Sequence, residues 1–144
     1  MTDPAAGVAL GLDLGDARIG VAISDPERRV AVPVGTVHVG QPPGELKAVA
    51  ALVEEHGATV VVLGHPRTMR GEAGPAAHLA ERFAEALRSI LAVPVELQDE
   101  RLSTVEAERR LASGGRRGRE ARARVDASAA AVILQSWLDT HRGR

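Results

Sequence analysis

The chain reads as one α/β domain, a mixed β-sheet covered by helices. Three observations predict it. Residues 7–14 alternate with period two, three strand-like stretches precede the first helical pattern, and from residue 45 helical and strand-like segments alternate. At 144 residues the chain has length for one ordinary core and not for two generous ones, so the expected domain spans 1–144.

Val8–Leu14 and Arg18–Ser24 read as strands joined through Gly15-Asp16-Ala17, and Val30–Val39 as a third after the turn at Asp25-Pro26-Glu27. The three should lie antiparallel. Pro33 has no N–H to give a ladder, which places the third strand at an edge or beside a bulge. Glu45–His56 sets Leu46, Val49, Ala50, Leu52 and Val53 on one face of a helix that stops at Gly57. Thr59–Leu63 is a continuous β-branched run of the kind buried on both faces, hence a central parallel strand. A loop is expected over Gly64–Gly71, then a helix from Pro75 with Leu79, Phe83, Ala86, Leu87 and Ile90 at helical spacing. Val93, Val95 and Leu97 alternate into a fifth strand. Ser103 and Glu106 form a capping box opening a short helix closed at Gly114-Gly115, and a last helix runs from Val125 to about Asp139. The N-terminal residues 1–6 and the basic stretch 114–124 are expected to be flexible.

Composition narrows the function classes. The chain has no cysteine, which excludes disulfides, zinc–thiolate sites and a cysteine nucleophile. It shows neither a signal-peptide pattern nor an apolar run long enough to span a bilayer, so a cytoplasmic protein with no membrane partner is expected. The net charge of −1 conceals an asymmetry: residues 1–100 hold 8 basic and 14 acidic side chains, residues 101–144 hold 10 and 5. The basic third is densest from Arg116 to Arg124 and suits a phosphate backbone. With one Phe, one Trp and no Tyr, base stacking is not its means of recognition.

The small face of residues 7–14 carries Gly7, Ala9, Gly11 and Asp13, so a carboxylate ends a strand where something packs close to the backbone. A buried carboxylate needs a partner or a metal. Glu100 ends the fifth strand, and Asp126 opens the last helix on the stripe of Ala130, Ile133 and Trp137, which must face the sheet. Strand ends of such sheets are where ligands gather. Three carboxylates from three elements repel unless divalent cations lie between them, and oxygen ligands suit Mg²⁺ or Mn²⁺. Two such ions can activate water and stabilise the leaving oxygen of a phosphodiester. Asp126 reads equally as a helix cap, and Asp16 and Asp25 as turn residues. The five histidines show no zinc spacing and read as surface or loop side chains; no Walker or dinucleotide fingerprint is present.

The stretches GLDLGDARIGVAISD at 11–25, GHPRTMRG at 64–71, DERLST at 99–104 and VDASAAAVIL at 125–134 resemble the YqgF/RuvX family over nearly the whole chain. The resemblance implies an RNase H-like fold with sheet order 3-2-1-4-5, a nuclease acting on the 16S rRNA precursor or on branched DNA, and catalytic metal-binding roles for Asp13, Glu100 and Asp126, with two Mg²⁺ or Mn²⁺ ions. Arg18, Arg67, Arg70, Arg101, Arg116, Arg117 and Arg119 are the candidate substrate contacts. Thr68 and Arg70 stand where the family loop carries an amide and an acid. The partner expected is precursor rRNA, or branched DNA, bound by a monomer or weak homodimer. The alternatives are a junction resolvase and a non-catalytic nucleic-acid-binding or transcription-associated protein. A phosphotransferase built on the actin-like fold would need a second lobe that 144 residues cannot supply.

Overall fold

A computed structural model describes residues 7–15, 17–38, 44–67, 74–101 and 126–141. Three strands, β1 (Ala9–Leu14), β2 (Arg18–Ser24) and β3 (Ala31–His38), come first, followed by α1 (Gly44–His56), β4 (Val60–Arg67), α2 (Pro75–Ile90) and β5 (Val95–Arg101). A helix over 126–140, α3, follows. The strands form one sheet in the order β3-β2-β1-β4-β5, the RNase H-like arrangement. β1 pairs antiparallel with β2 and parallel with β4, and β4 runs parallel to β5. The carboxyl ends of β1, β4 and β5 therefore share one end of the sheet.

The alternation in β1 divides the core. Leu10 and Leu12 join Ile19, Val21, Val61, Leu63 and Val95 on the face covered by α1 and α2. Ala9 joins Ala22, Val60 and Val62 on the opposite face, against Ala130, Ile133, Leu134 and Trp137 of α3. Small residues on that second face bring α3 close: a Cβ added to Gly11 would stand 2.7 Å from Leu134 Cβ.

The turn between β2 and β3 is built by Asp25. Its carboxylate accepts the N–H of Arg29 at 2.7 Å and of Val30 at 3.0 Å, and Arg28 takes a left-handed conformation at φ 58°. These bonds, that of Val30 foremost, hold the Asp25 carboxyl below its usual range. β3 is an edge strand and the register shifts between Val21 and Ala22, opposite Pro33, so the proline marks both an edge and a bulge.

Three expectations are corrected. The segment from Gly64 is not a loop at its start: β4 continues through Arg67 because Gly64–Arg67 pair with Gln98–Arg101 of β5. The ladder overrides the turn chemistry of a glycine and a proline. His65 is correspondingly not a surface or loop residue but 5% exposed within β4. Finally, α2 buries Ala77, Ala80, Ala84 and Leu87, leaving Leu79 and Ile90 about half exposed. Its inward stripe is one of small residues, so the larger side chains that define the helical period lie beside it. Residues 1–6, the short helix expected after Ser103 and the basic stretch 114–124 lie outside the described residues, as do Asp16, Thr68, Arg70, Arg116, Arg117 and Arg119.

Candidate active site

Strand alternation settles which side of the sheet each acid occupies. Ala9 and Gly11 of β1 face α3, so Asp13 does too. On β5, Glu96 accepts the indole N–H of Trp137 at 3.3 Å, which puts Glu96, Gln98 and Glu100 on that same face. Asp126 stands in the first described turn of α3, over β2. The expected acids thus come from three elements to one face and one end of the sheet.

The closest approach is at Gly20. Asp13 and Gly20 are cross-strand partners. A Cβ on Gly20 would overlap the Asp126 carbonyl oxygen and lie 2.5 Å from its carbonyl carbon and 3.2 Å from the Ala127 nitrogen. Only the absence of a side chain lets the start of α3 rest on β2 beside Asp13. Glu100 is further off. It lies two residues beyond Gln98, the partner of Gly64, and Gly64 continues the register that matches Leu12 to Leu63. Two strand spacings and two residue rises put the Asp13 and Glu100 Cα atoms roughly 12 Å apart.

That span, reduced by two side chains reaching inward, is one for ions and their ligands rather than for direct carboxylate contact. The donors fit a hard divalent cation in kind, all being carboxylate oxygens. Among the described residues no three acidic or histidine side chains already converge on one point that would hold an ion. Asp126 is instead engaged by a cation of the chain: Arg18 Nε donates to its Oδ2 at 3.0 Å, with the two side chains 15% and 33% exposed. Among the described residues the Asp126 carboxylate makes no bond to N–H groups of its own helix, as a cap would. Arg18 is held in turn by a tight connection in which Gly15 N–H donates to the Arg18 carbonyl at 3.0 Å.

Of the other arginines expected to meet substrate, Arg67 and Arg101 are cross-strand partners at the last position of β4 and β5, one residue beyond the Pro66–Glu100 pair.

Sequence reasoning missed a polar cluster on the other face. The ring Nε2–H of His65 donates to Glu81 Oε2 at 3.2 Å, and His78 Nδ1 lies 3.1 Å from Glu81 Oε1, fastening α2 to the end of β4. His78 foremost, then His65, holds the Glu81 carboxyl below its usual range, against an opposing push from partial desolvation. The His78–Glu81 spacing on one helix was a legible signal; the partner from β4 was not.

A family model described as RuvX, Holliday junction resolvase, matches residues 7–140. A relative from Anaeromyxobacter sp. (strain Fw109-5) is 51% identical over 130 residues, covering 90% of this chain and 95% of its own, and one from Mycolicibacterium paratuberculosis (strain K-10) is 49% identical over 141 residues, covering 97% and 84%. Both are named pre-16S rRNA nuclease. Among solved structures, T. thermophilus RuvC in complex with a Holliday junction substrate superposes with a TM-score of 0.55 at 19% identity, covering 95% of this chain and 96% of that one. At that identity the likeness concerns the fold.

Proposed function

The chain belongs to the RuvX family, and from that premise we propose that it is a divalent-metal-dependent endonuclease that hydrolyses phosphodiester bonds of structured RNA, with the 16S rRNA precursor as its substrate. The observation that carries the reading is the delivery of Asp13, Glu100 and Asp126 from β1, β5 and α3 to one face at the carboxyl end of the parallel strands.

Asp13, Glu100 and Asp126 would hold the ions. Mg²⁺ or Mn²⁺ bound there supplies an activated water and a Lewis acid for the leaving oxygen. The remaining work falls to this chain's cations. Arg67 and Arg101 are the cross-strand pair that ends β4 and β5, one position beyond Pro66 and Glu100, and would contribute positive charge to this end of the sheet. Arg70, Arg116, Arg117 and Arg119 are the further cations for the substrate's backbone, since charge without aromatic side chains grips phosphate and does not read bases.

The precursor is preferred over a four-way junction because close relatives covering nearly the whole chain carry the rRNA name, and because paired nicking of a junction asks for two sites in a two-fold dimer. The test is a side-by-side assay of purified protein with Mn²⁺ or Mg²⁺ on a 16S rRNA precursor, a four-way DNA junction and a linear duplex. Metal-dependent cutting of the precursor at one position is expected. Preferred symmetric cutting of the junction would overturn the substrate, and no metal-dependent cutting of any of the three would overturn the enzyme.

A further inference from the structure

We infer that Arg18 is a built-in counter-ion that occupies Asp126 in the metal-free protein and is exchanged there for the catalytic metal ion, so that it sets how tightly the metal binds. The inference rests on the metal-site reading above and goes beyond it, because it concerns the state before loading. Its ground is the ion pair itself. Arg18 is the first residue of β2, its carbonyl is clamped by the Gly15 N–H at 3.0 Å, and its side chain is largely buried as its Nε meets Asp126 Oδ2 at 3.0 Å. The acid side is equally fixed, since the backbone of Asp126 rests on Gly20 without room for one methyl group.

An arrangement rigid on both sides is unlike a mobile surface pair, whose two long side chains lose entropy on meeting and contribute little. It also answers an electrostatic need. Three carboxylates face one end of the sheet, and the fixed guanidinium offsets that of Asp126. A divalent ion on the same oxygen brings two positive charges beside the guanidinium, so the two compete for Asp126. Arg18 is therefore a positioning residue acting through Asp126, and its removal should make metal binding stronger, whereas loss of a purely structural support would make it weaker.

The experiment titrates chelator-treated protein with Mn²⁺ by calorimetry and melts it with and without Mn²⁺. Arg18→Gln, and Arg18→Met, which keeps the packing of the aliphatic stem, should each bind Mn²⁺ roughly tenfold more tightly than wild type, the factor that a charge-assisted hydrogen bond commands. Their metal-free forms should melt lower, and the gap in Tm opened by Mn²⁺ should widen. Arg18→Lys should restore both measures towards wild type. Mn²⁺ affinity in the two neutral variants equal to or below that of wild type overturns the inference alone. Absence of Mn²⁺ binding by wild type, or binding unchanged by Asp126→Asn, overturns the metal site and this inference with it.

Discussion

Replacing Gly20 with alanine should damage the enzyme far more than its single methyl group suggests. The new Cβ would lie 2.5 Å from the Asp126 carbonyl carbon, and ordinary carbon–carbon contact needs about 3.5 Å, so one side must retreat by roughly 1 Å. β2 cannot, because Gly20 is paired with Asp13 on one side and Thr36 on the other. The start of α3 must move instead, and Asp126 moves with it, away from Asp13 and Arg18. Overpacking of this kind costs about 1–3 kcal/mol, which for a chain of this length lowers Tm by roughly 3–10 °C. In the proposed site, displacement of Asp126 by about 1 Å should cost roughly 100-fold in rate. The assay pairs thermal melting with metal-dependent cleavage of the precursor, using Gly35→Ala as control, since a Cβ there meets nothing within 4 Å. If Gly20→Ala melts and cuts like Gly35→Ala, the close seat of α3 on β2 does not position the acid.

Asp13→Asn, Glu100→Gln and Asp126→Asn should each abolish cleavage while far-UV circular dichroism remains native; near-normal turnover in any one removes that residue from the metal set. Glu81 contributes stability above its ordinary pKa, because its folded pKa is lowered by His78 and His65; that contribution is lost as pH falls through the folded value. Melting temperature followed from pH 6 to 3 should thus fall less steeply in Glu81→Gln than in wild type, and parallel curves would deny the cluster a role. Changing Arg116, Arg117 and Arg119 to alanine should weaken unrelated RNA sequences alike and shallow the plot of log affinity against log salt by ~0.7 per lost single-strand phosphate contact; an unchanged slope places the contact surface elsewhere.

Legibility followed the range of the interaction. The elements up to β5 could be read because the burial of each shows locally: small and large residues alternate in β1, the β-branched run of β4 is covered on both faces, and Asp25 builds its own turn. What escaped depends on neighbours remote in sequence. β4 continues through Gly64 and Pro66 because β5 pairs with it 34 residues later. His65 is buried because α2 offers Glu81, and α2 turns alanines inward because the sheet admits a close helix. For the candidate site, residue type and strand position singled out Asp13 and Glu100, and the apolar stripe of the last helix singled out Asp126. The Arg18–Asp126 pair was not legible, since 108 residues separate its members.

The same remoteness explains how one helix can hold Asp126 in a fixed place. α3 is fastened at both ends to the sheet. Near its carboxyl end Gln135 Oε1 accepts the Ala31 N–H at 2.9 Å and its Nε2 donates to the Arg29 carbonyl at 3.1 Å. Trp137 donates to Glu96 and stacks on His141 at 4.2 Å. Arg28, whose guanidinium lies 5.4 Å from the Trp137 ring centroid, ties this end to the rest of the domain by donating to the Gly7 carbonyl and to Thr59 Oγ1, each at 2.8 Å. Each bond is worth about 1 kcal/mol, yet together they stop α3 from sliding. From Trp137 to Asp126 the helix rises about 17 Å, while β5 from Glu96 to Glu100 advances about 13 Å. With Trp137 pinned at Glu96, the helix is therefore long enough to bring Asp126 to the end of the sheet where Glu100 and Asp13 stand. The Gly20 seat then fixes its height above β2. The position of Asp126 is thus set jointly by an anchor some three turns away and by a missing side chain beneath it, which is how a carboxylate on a helix comes to stand beside acids carried on strands.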